Sequence, residues 1–283
     1  MKTAAVRAVG GVSIVLGALL LLASIVGIAN GGNGFYRSYP AALAGMVGQD
    51  VASLVVGLPM LLGSAWLARR GSSRALLVLA GVLFYLAYSY AFFVIGGFNA
   101  LFPVYALIVA ISLYGLLGLL VTLDPADVAG RFHVDVPRRR VAAFLLGVAV
   151  LFTLMWGGLT LSLIAGSEQP EPVVHAVLVM DNTVLLPALL LGGSLLWRGS
   201  PWGLVLGGVL LVKLVLTGGT LAFTTLLDWR WTGELDGFNT VLLMLFGLMA
   251  VMGIALLLPF FRHLEDGVAR EVAHVGPSTV EHA

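Results

Sequence analysis

Eight stretches of this chain stay apolar for the ~20 residues that a helix needs to cross a bilayer. They run over 10–29, 43–66, 75–95, 101–121, 141–165, 174–196, 202–226 and 239–261. In lipid only helices and closed barrels satisfy their own backbone, and unbroken apolar runs point to helices. Glycine and proline inside the runs do not weaken this, because both are common in membrane helices. The pattern predicts an all-α polytopic membrane helical bundle of eight transmembrane helices.

The polar positions between the runs predict its orientation. With an internal N-terminus, the inner segments hold Lys2, Arg7, Arg69, Arg70, Arg74, Arg131, Arg138, Arg139, Arg140, Arg198, Arg262 and Arg270. The outer loops hold Arg37 and Arg230, together with Glu168, Glu171, Asp228, Glu234 and Asp236. Cations gather on the cytoplasmic side of membrane proteins. Both termini are therefore expected in the cytoplasm and the chain in the cell membrane. Lys2 and Arg7 precede the first run as in a signal peptide. That run is longer than a signal's apolar core and has a counterpart later in the chain, so it is read as a retained span.

The counterpart belongs to a longer correspondence. Asp50 precedes Trp66 by sixteen residues, and Asp181 precedes Trp197 by the same sixteen, 131 residues further on. Residues 7–66 lie over 138–197 without a gap. Arg70-Gly71-Ser72 then matches Arg198-Gly199-Ser200 after a three-residue slip, and Gly97-Phe98-Asn99 matches Gly237-Phe238-Asn239. The nine extra residues of the second half fall in an outer loop at Leu227–Asp236. Four spans per half is an even number, which predicts a parallel repeat about an axis along the membrane normal. The expected organisation is a first repeat over 1–121, a cytoplasmic linker over 122–140, a second repeat over 141–261, and a mobile polar tail over 262–283.

Composition narrows the chemistry. Apolar residues make up 60% of the 283 and charged residues 10%, with no cysteine. Disulfides and thiolate metal sites are excluded, and little is left over for a soluble domain. Arginine outnumbers lysine 13 to 2 among abundant Gly, Ala, Val and Leu, a bias that fits a GC-rich prokaryotic genome. The basic inner face follows from topology and gives no reason to expect nucleic acid. The histidines do not pair across the bilayer, and no catalytic, phosphate-binding or metal motif is written in the chain. No catalytic residue, cofactor or metal is assigned.

Three residues that carry a formal charge at pH 7 lie inside the runs. Asp50 and Asp181 each sit about seven residues in from the outer edge, roughly 10 Å at 1.5 Å per residue. Lys213 lies near the middle of the seventh run, where a charge needs a partner or a wet cavity. The expectation is an intramembrane cluster of Asp50, Asp181 and Lys213, either a structural ion pair or an ion or proton site. Two carboxylates against one cation favour a small cation or a proton. Gln49, Asn182, Tyr85 and Tyr88 are expected to support it. Pro59 and Pro187 follow the aspartates and remove a backbone donor each, which frees the carbonyls of Val55 and Thr183. At a 128-residue offset, Tyr85 stands where the second half has Lys213. Asn99 and Asn239 are read as helix N-caps, and the Gly-Gly pairs at 157, 192, 207 and 218 as close-packing devices.

The strings Gly48-Gln49-Asp50 through Pro59, Trp66-Leu67-Ala68-Arg69-Arg70-Gly71, Gly97-Phe98-Asn99-Ala100-Leu101-Phe102 and Leu211-Val212-Lys213 together carry a resemblance. The chain resembles an uncharacterised family of bacterial and archaeal multi-pass membrane proteins over most of residues 1–261. That family has no function to carry over. Three expectations follow, in order. The first is a small transporter, or transport-associated protein, with a cation or proton site between its halves. The second is a non-catalytic membrane partner or sensor whose Asp/Lys cluster is structural. The third is a lipid-acting enzyme using His175 with Asp181.

Overall fold

The computed structural model describes residues 3–36 and 43–266. Among them, eight helices are long and apolar enough to cross a membrane. They are α1 (Thr3–Asn30), α2 (Leu43–Arg69), α3 (Ser73–Ile95), α4 (Phe102–Thr122), α5 (Arg138–Gly166), α6 (Pro172–Trp197), α7 (Pro201–Thr232) and α8 (Gly237–Arg262). The protein is an all-α, multi-pass membrane bundle.

The helix ends follow local chemistry. Ser72 caps α3 by accepting from the Ala75 amide, and Asp236 caps α8 by accepting from the Asn239 amide at 2.6 Å. Asp236, not Asn239, is thus the α8 cap, because a carboxylate reaching its N3 amide already fills that role. Asn99 accepts from the Leu101 amide just ahead of α4. Helix α7 runs on to Thr232 before Gly233, at φ 76°, ends it. The extra length of the second half is therefore largely added helix and not loop.

Within the first four spans α1 packs on α2 and α4, and α3 packs on α2 and α4. The last four repeat these pairings, α5 with α6 and α8, and α7 with α6 and α8. The two sets meet where α3 packs on α7, with α2 against α7 and α3 against α6 on either side. Helices α3 and α7 are consequently the most buried spans. They come close at Gly81, where an added Cβ would stand 2.5 Å from Val212 Cβ and 2.9 Å from the Val209 carbonyl oxygen. Gly81→Ala should cost about 1–3 kcal/mol, the usual range for overpacking. Adding Val212→Ala should restore only part of this, since the Val209 carbonyl is backbone. Thermal unfolding in detergent checks both, and full rescue would mean the backbones are not in contact.

Helices α2 and α6 share an irregularity. Each contains one π-turn, over Ser53–Gly57 and Asp181–Leu185, followed by a proline, Pro59 and Pro187. At the turn's end the Leu58 amide reaches back to the Ser53 carbonyl, and the Leu186 amide to the Asp181 carbonyl. Proline and π-turns are standard causes of a local bend. Each helix then closes with the same turn. The Gly71 and Ser72 amides bond the Ala68 and Leu67 carbonyls, and the Gly199 and Ser200 amides bond those of Leu196 and Leu195. Gly71 and Gly199 both take the left-handed conformation that this helix stop requires.

All these matched features are 128 residues apart. At that spacing Asp181 corresponds to Ser53, not to Asp50, and Trp197 to Arg69, not to Trp66. The doubled Asp-to-Trp spacing does not place the two aspartates at equivalent points on their helices.

At the arginine-rich end the linker is folded. Asp124 caps a short helix at Pro125–Ala129. Beyond it the His133 amide bonds the His263 carbonyl, and the Glu265 amide bonds the Arg131 carbonyl. Arg131 also reaches Ser73 at 2.8 Å, and Arg74 Nε the Leu264 carbonyl at 2.7 Å. The segment after α8 is thereby held in place as far as Asp266. The tail expected to be mobile otherwise lies outside the described residues.

The glycine pairs divide. An added Cβ would press into neighbouring side chains at Gly192, Gly193 and Gly207, and against the α8 backbone at Gly218. Gly157, Gly158 and Gly219 face open space, so they are not packing devices within this chain.

Candidate functional site

A cavity of about 270 Å³ lies between the first and last four spans, in the half of the bundle away from the arginine-rich loops. Helices α2 and α3 line one side, and α5 to α8 the other. Of the residues expected to form a site, Gln49, Tyr85, Tyr88, Asp181 and Lys213 all reach its wall. Asp50 and Asn182 do not.

Asp181, at the first position of its π-turn, is buried and accepts two hydrogen bonds. The Tyr88 hydroxyl donates to Oδ1, and Trp156 Nε1 donates to Oδ2 at 2.6 Å. Both carboxylate oxygens are thus held by donors from α3 and α5, one on each side of the seam. A carboxylate buried this deeply needs such donors to offset its lost hydration.

Lys213 is fully buried at the core of α7. Its Nζ stands over the face of the Tyr88 ring, 3.7 Å from the centroid. It has no hydrogen-bond partner among the described residues. The same tyrosine therefore touches both charged groups, donating its hydroxyl to Asp181 and offering its ring to Lys213. Cation–π contact compensates a desolvated cation only in part, by about 2 kcal/mol. Asp181 acts on Lys213 electrostatically, but not through a hydrogen bond.

The polar groups around Tyr85 are matched among themselves. Gln49 Nε2 donates to the Tyr85 hydroxyl at 2.9 Å and to Ser53 at 3.0 Å, and the Tyr85 hydroxyl lies 2.9 Å from Thr220 Oγ1. Since Ser53 and Tyr85 correspond to Asp181 and Lys213 at the 128-residue spacing, the first half holds a neutral, hydrogen-bonded version of the charged pair. The rest of the wall is apolar, with Phe92, Phe152, Trp156, Phe246 and Met249 prominent.

Compared with protein families, curated proteins and solved structures, the chain matches none. What it does must therefore be argued from the cavity and its residues.

Asp50 belongs to a different network. It is fully buried, and Oδ2 accepts from the hydroxyl of Tyr36, which lies 3.5 Å from the Tyr105 hydroxyl. Burial, and then the Asp50 carboxylate beside it, push the Tyr36 hydroxyl above its ordinary range. Tyr36 consequently stays a proton donor to Asp50. Gly27 of α1 makes room for this pair. The expected three-residue cluster is therefore two separate arrangements, with Asp50 in one and Asp181 and Lys213 in the other.

Asn182 and Thr183 bond back to the carbonyls of Leu178 and Val179 on their own helix and are exposed. His175 is exposed and lines a different depression with Asn182. It does not meet Asp181. Five residues of these networks, Tyr36, Ser53, Tyr105, Trp156 and Thr220, had no place in the sequence expectation. The one available signal was Trp156, a mid-span indole whose N–H needs a partner when buried.

Proposed function

We propose that this protein is a small membrane transporter whose substrate occupies the cavity between its first and last four spans, with Asp181 as its proton or small-cation site. One observation carries the reading. Asp181 and Lys213 are ionisable, buried in the membrane-spanning core, and on the wall of a cavity built from both halves. Such residues are costly in a bilayer and typically mark ion or substrate pathways. The π-turn that begins at Asp181 supplies a bend of the kind found at functional points in helices. The arginine asymmetry supports an orientation with both termini in the cytoplasm, which puts the cavity in the outer half of the membrane. The recurring pairings and turns support a duplicated four-helix unit. Asp50, outside the cavity, is given a structural part.

The test is proton flux into liposomes that contain the purified protein and an entrapped pH-sensitive dye. An imposed membrane potential should drive flux in the wild type, with sodium-gradient uptake assayed in parallel. Asp181→Asn should reduce it at least tenfold, whereas Asp124→Asn at the folded linker should leave it unchanged. Wild-type liposomes that move neither protons nor sodium, alone or with a panel of added small carboxylates, amines and sugars, would overturn the reading.

A further inference from the structure

Two buried polar side-chain atoms on the cavity wall have no hydrogen-bond partner among the described residues. They are Lys213 Nζ and Thr217 Oγ1. They lie four residues apart on α7, so they are neighbours on one helix face. An unmet buried cation is among the costliest features a protein interior can hold, and here a second unmet polar group stands one turn along. Asp181 does not answer them: its oxygens accept from Tyr88 and Trp156, and no hydrogen bond joins it to either atom. Nor do the hydroxyls of Tyr85 and Thr220, which are engaged with each other.

We infer that the cavity is a binding site for an amphipathic monocarboxylate, whose head group bridges Lys213 Nζ and Thr217 Oγ1 and whose apolar body lies among Phe152, Trp156 and Phe246. The head-group chemistry follows from what the two atoms lack. Lysine has three donors and no acceptor, and threonine has one donor. Two acceptor oxygens on one anion satisfy both at once. A cationic ligand at these two atoms adds a second positive charge beside Lys213. A phosphate brings nearly two negative charges to a wall that already holds Asp181. A neutral ligand gives Lys213 at most a dipole, while its countercharge, Asp181, makes no hydrogen bond to it. The apolar body follows from the rest of the wall, which offers aromatic faces and few free polar groups. At about 270 Å³ the cavity is near the lower end of small-molecule sites, too small for a two-chain phospholipid. This inference rests on the transporter reading only for the purpose of binding. The site takes its ligand whether or not the protein moves it.

The experiment is direct binding, with no gradient imposed, so its failure is separate from a failure of transport. Purified protein in zwitterionic nanodiscs is titrated calorimetrically with 2-naphthoate, as a water-borne acid, and with hexadecanoate, as a bilayer-borne one. The neutral controls are 2-naphthamide and hexadecanol. At least one acid should bind ten or more times tighter than its neutral counterpart. Lys213→Met should abolish that preference, bringing acid and neutral analogue to similar weak affinity. Thr217→Val should weaken the acid several-fold and leave the amide unchanged. Whichever acid binds identifies the source, water or bilayer. Equal affinity for acid and amide, an acid preference that survives Lys213→Met, or no binding of either acid would overturn the inference.

Discussion

Gly27→Ala is expected to be strongly destabilising. A Cβ at Gly27 would stand 2.0 Å from Asp50 Oδ2 and 2.3 Å from the Tyr36 hydroxyl oxygen. Neither atom has an easy way out. Asp50 is fully buried, and Tyr36 is 2% exposed and packed edge-on against Phe35 and Phe93. To admit the methyl, the hydroxyl must leave the carboxylate or α1 must shift from α2. The first course strips Asp50 of its donor at Oδ2, when Oδ1 already has no partner among the described residues. Leaving a buried acceptor without its donor costs about 1–3 kcal/mol, and more for a charged group, in addition to the overpacking. The measurement is the loss of folded protein with temperature in detergent. Asp50→Ala removes the nearer clash and opens space for the Tyr36 hydroxyl to withdraw, so the double variant should cost much less than the two single changes added together. Such non-additivity is the signature of residues in contact. A Gly27→Ala protein that melts like the wild type would show that α1 does not close over this pair.

The fold was largely legible from the polar and apolar pattern, because a bilayer constrains length and composition strongly. The eight runs predict the eight helices, with most ends shifted by only a few residues. The larger departures are the start of α1, which begins at Thr3, and the C-terminal end of α7, where Asp228 and Arg230 read as loop but continue the helix. The site was legible only in part. Gln49, Tyr85, Tyr88, Asp181 and Lys213 do share one cavity wall, and their depth along the helices carried that information. Rotation about the helix axis did not show. Asp50 is at a suitable depth, but it faces α1 and Tyr36 instead of the cavity. A π-turn adds one residue to a helical turn and rotates everything beyond it, and no composition reports this. The Asp-to-Trp spacing was misleading because each interval contains a whole π-turn, yet Asp181 is the first residue of its turn and Asp50 stands three residues before its own. Prolines, π-turns and Arg-Gly-Ser stops hold the 128-residue spacing because backbone geometry demands them. The tryptophans sit half-exposed near the helix ends, where a shift of one turn changes little.

Lys213→Met should make the protein more stable and remove its function, and this pairing separates a binding site from a structural ion pair. Methionine keeps most of the length and apolar stem of lysine, and it fills the space beside Tyr88 without a charge. If Lys213 were a structural counter-ion, removing it would leave Asp181 uncompensated, and stability would fall. The geometry argues otherwise. Asp181 takes its hydrogen bonds from Tyr88 and Trp156, and those donors remain in the variant. Lys213 itself has a ring face and no hydrogen bond among the described residues. What the variant loses is one cation–π contact and an electrostatic attraction to Asp181 across the tyrosine. What it sheds is the desolvation of a fully buried ammonium. Replacing a whole buried ion pair by apolar groups of similar volume is often neutral or stabilising by about 1–4 kcal/mol, and here the member removed is the one that makes no hydrogen bond among the described residues. The expected result is a higher melting temperature together with lost carboxylate binding. A residue that costs stability and is needed for binding is the ordinary mark of a functional site. A lower melting temperature for Lys213→Met, restored when Asp181→Asn is added, would instead identify the two as a structural pair.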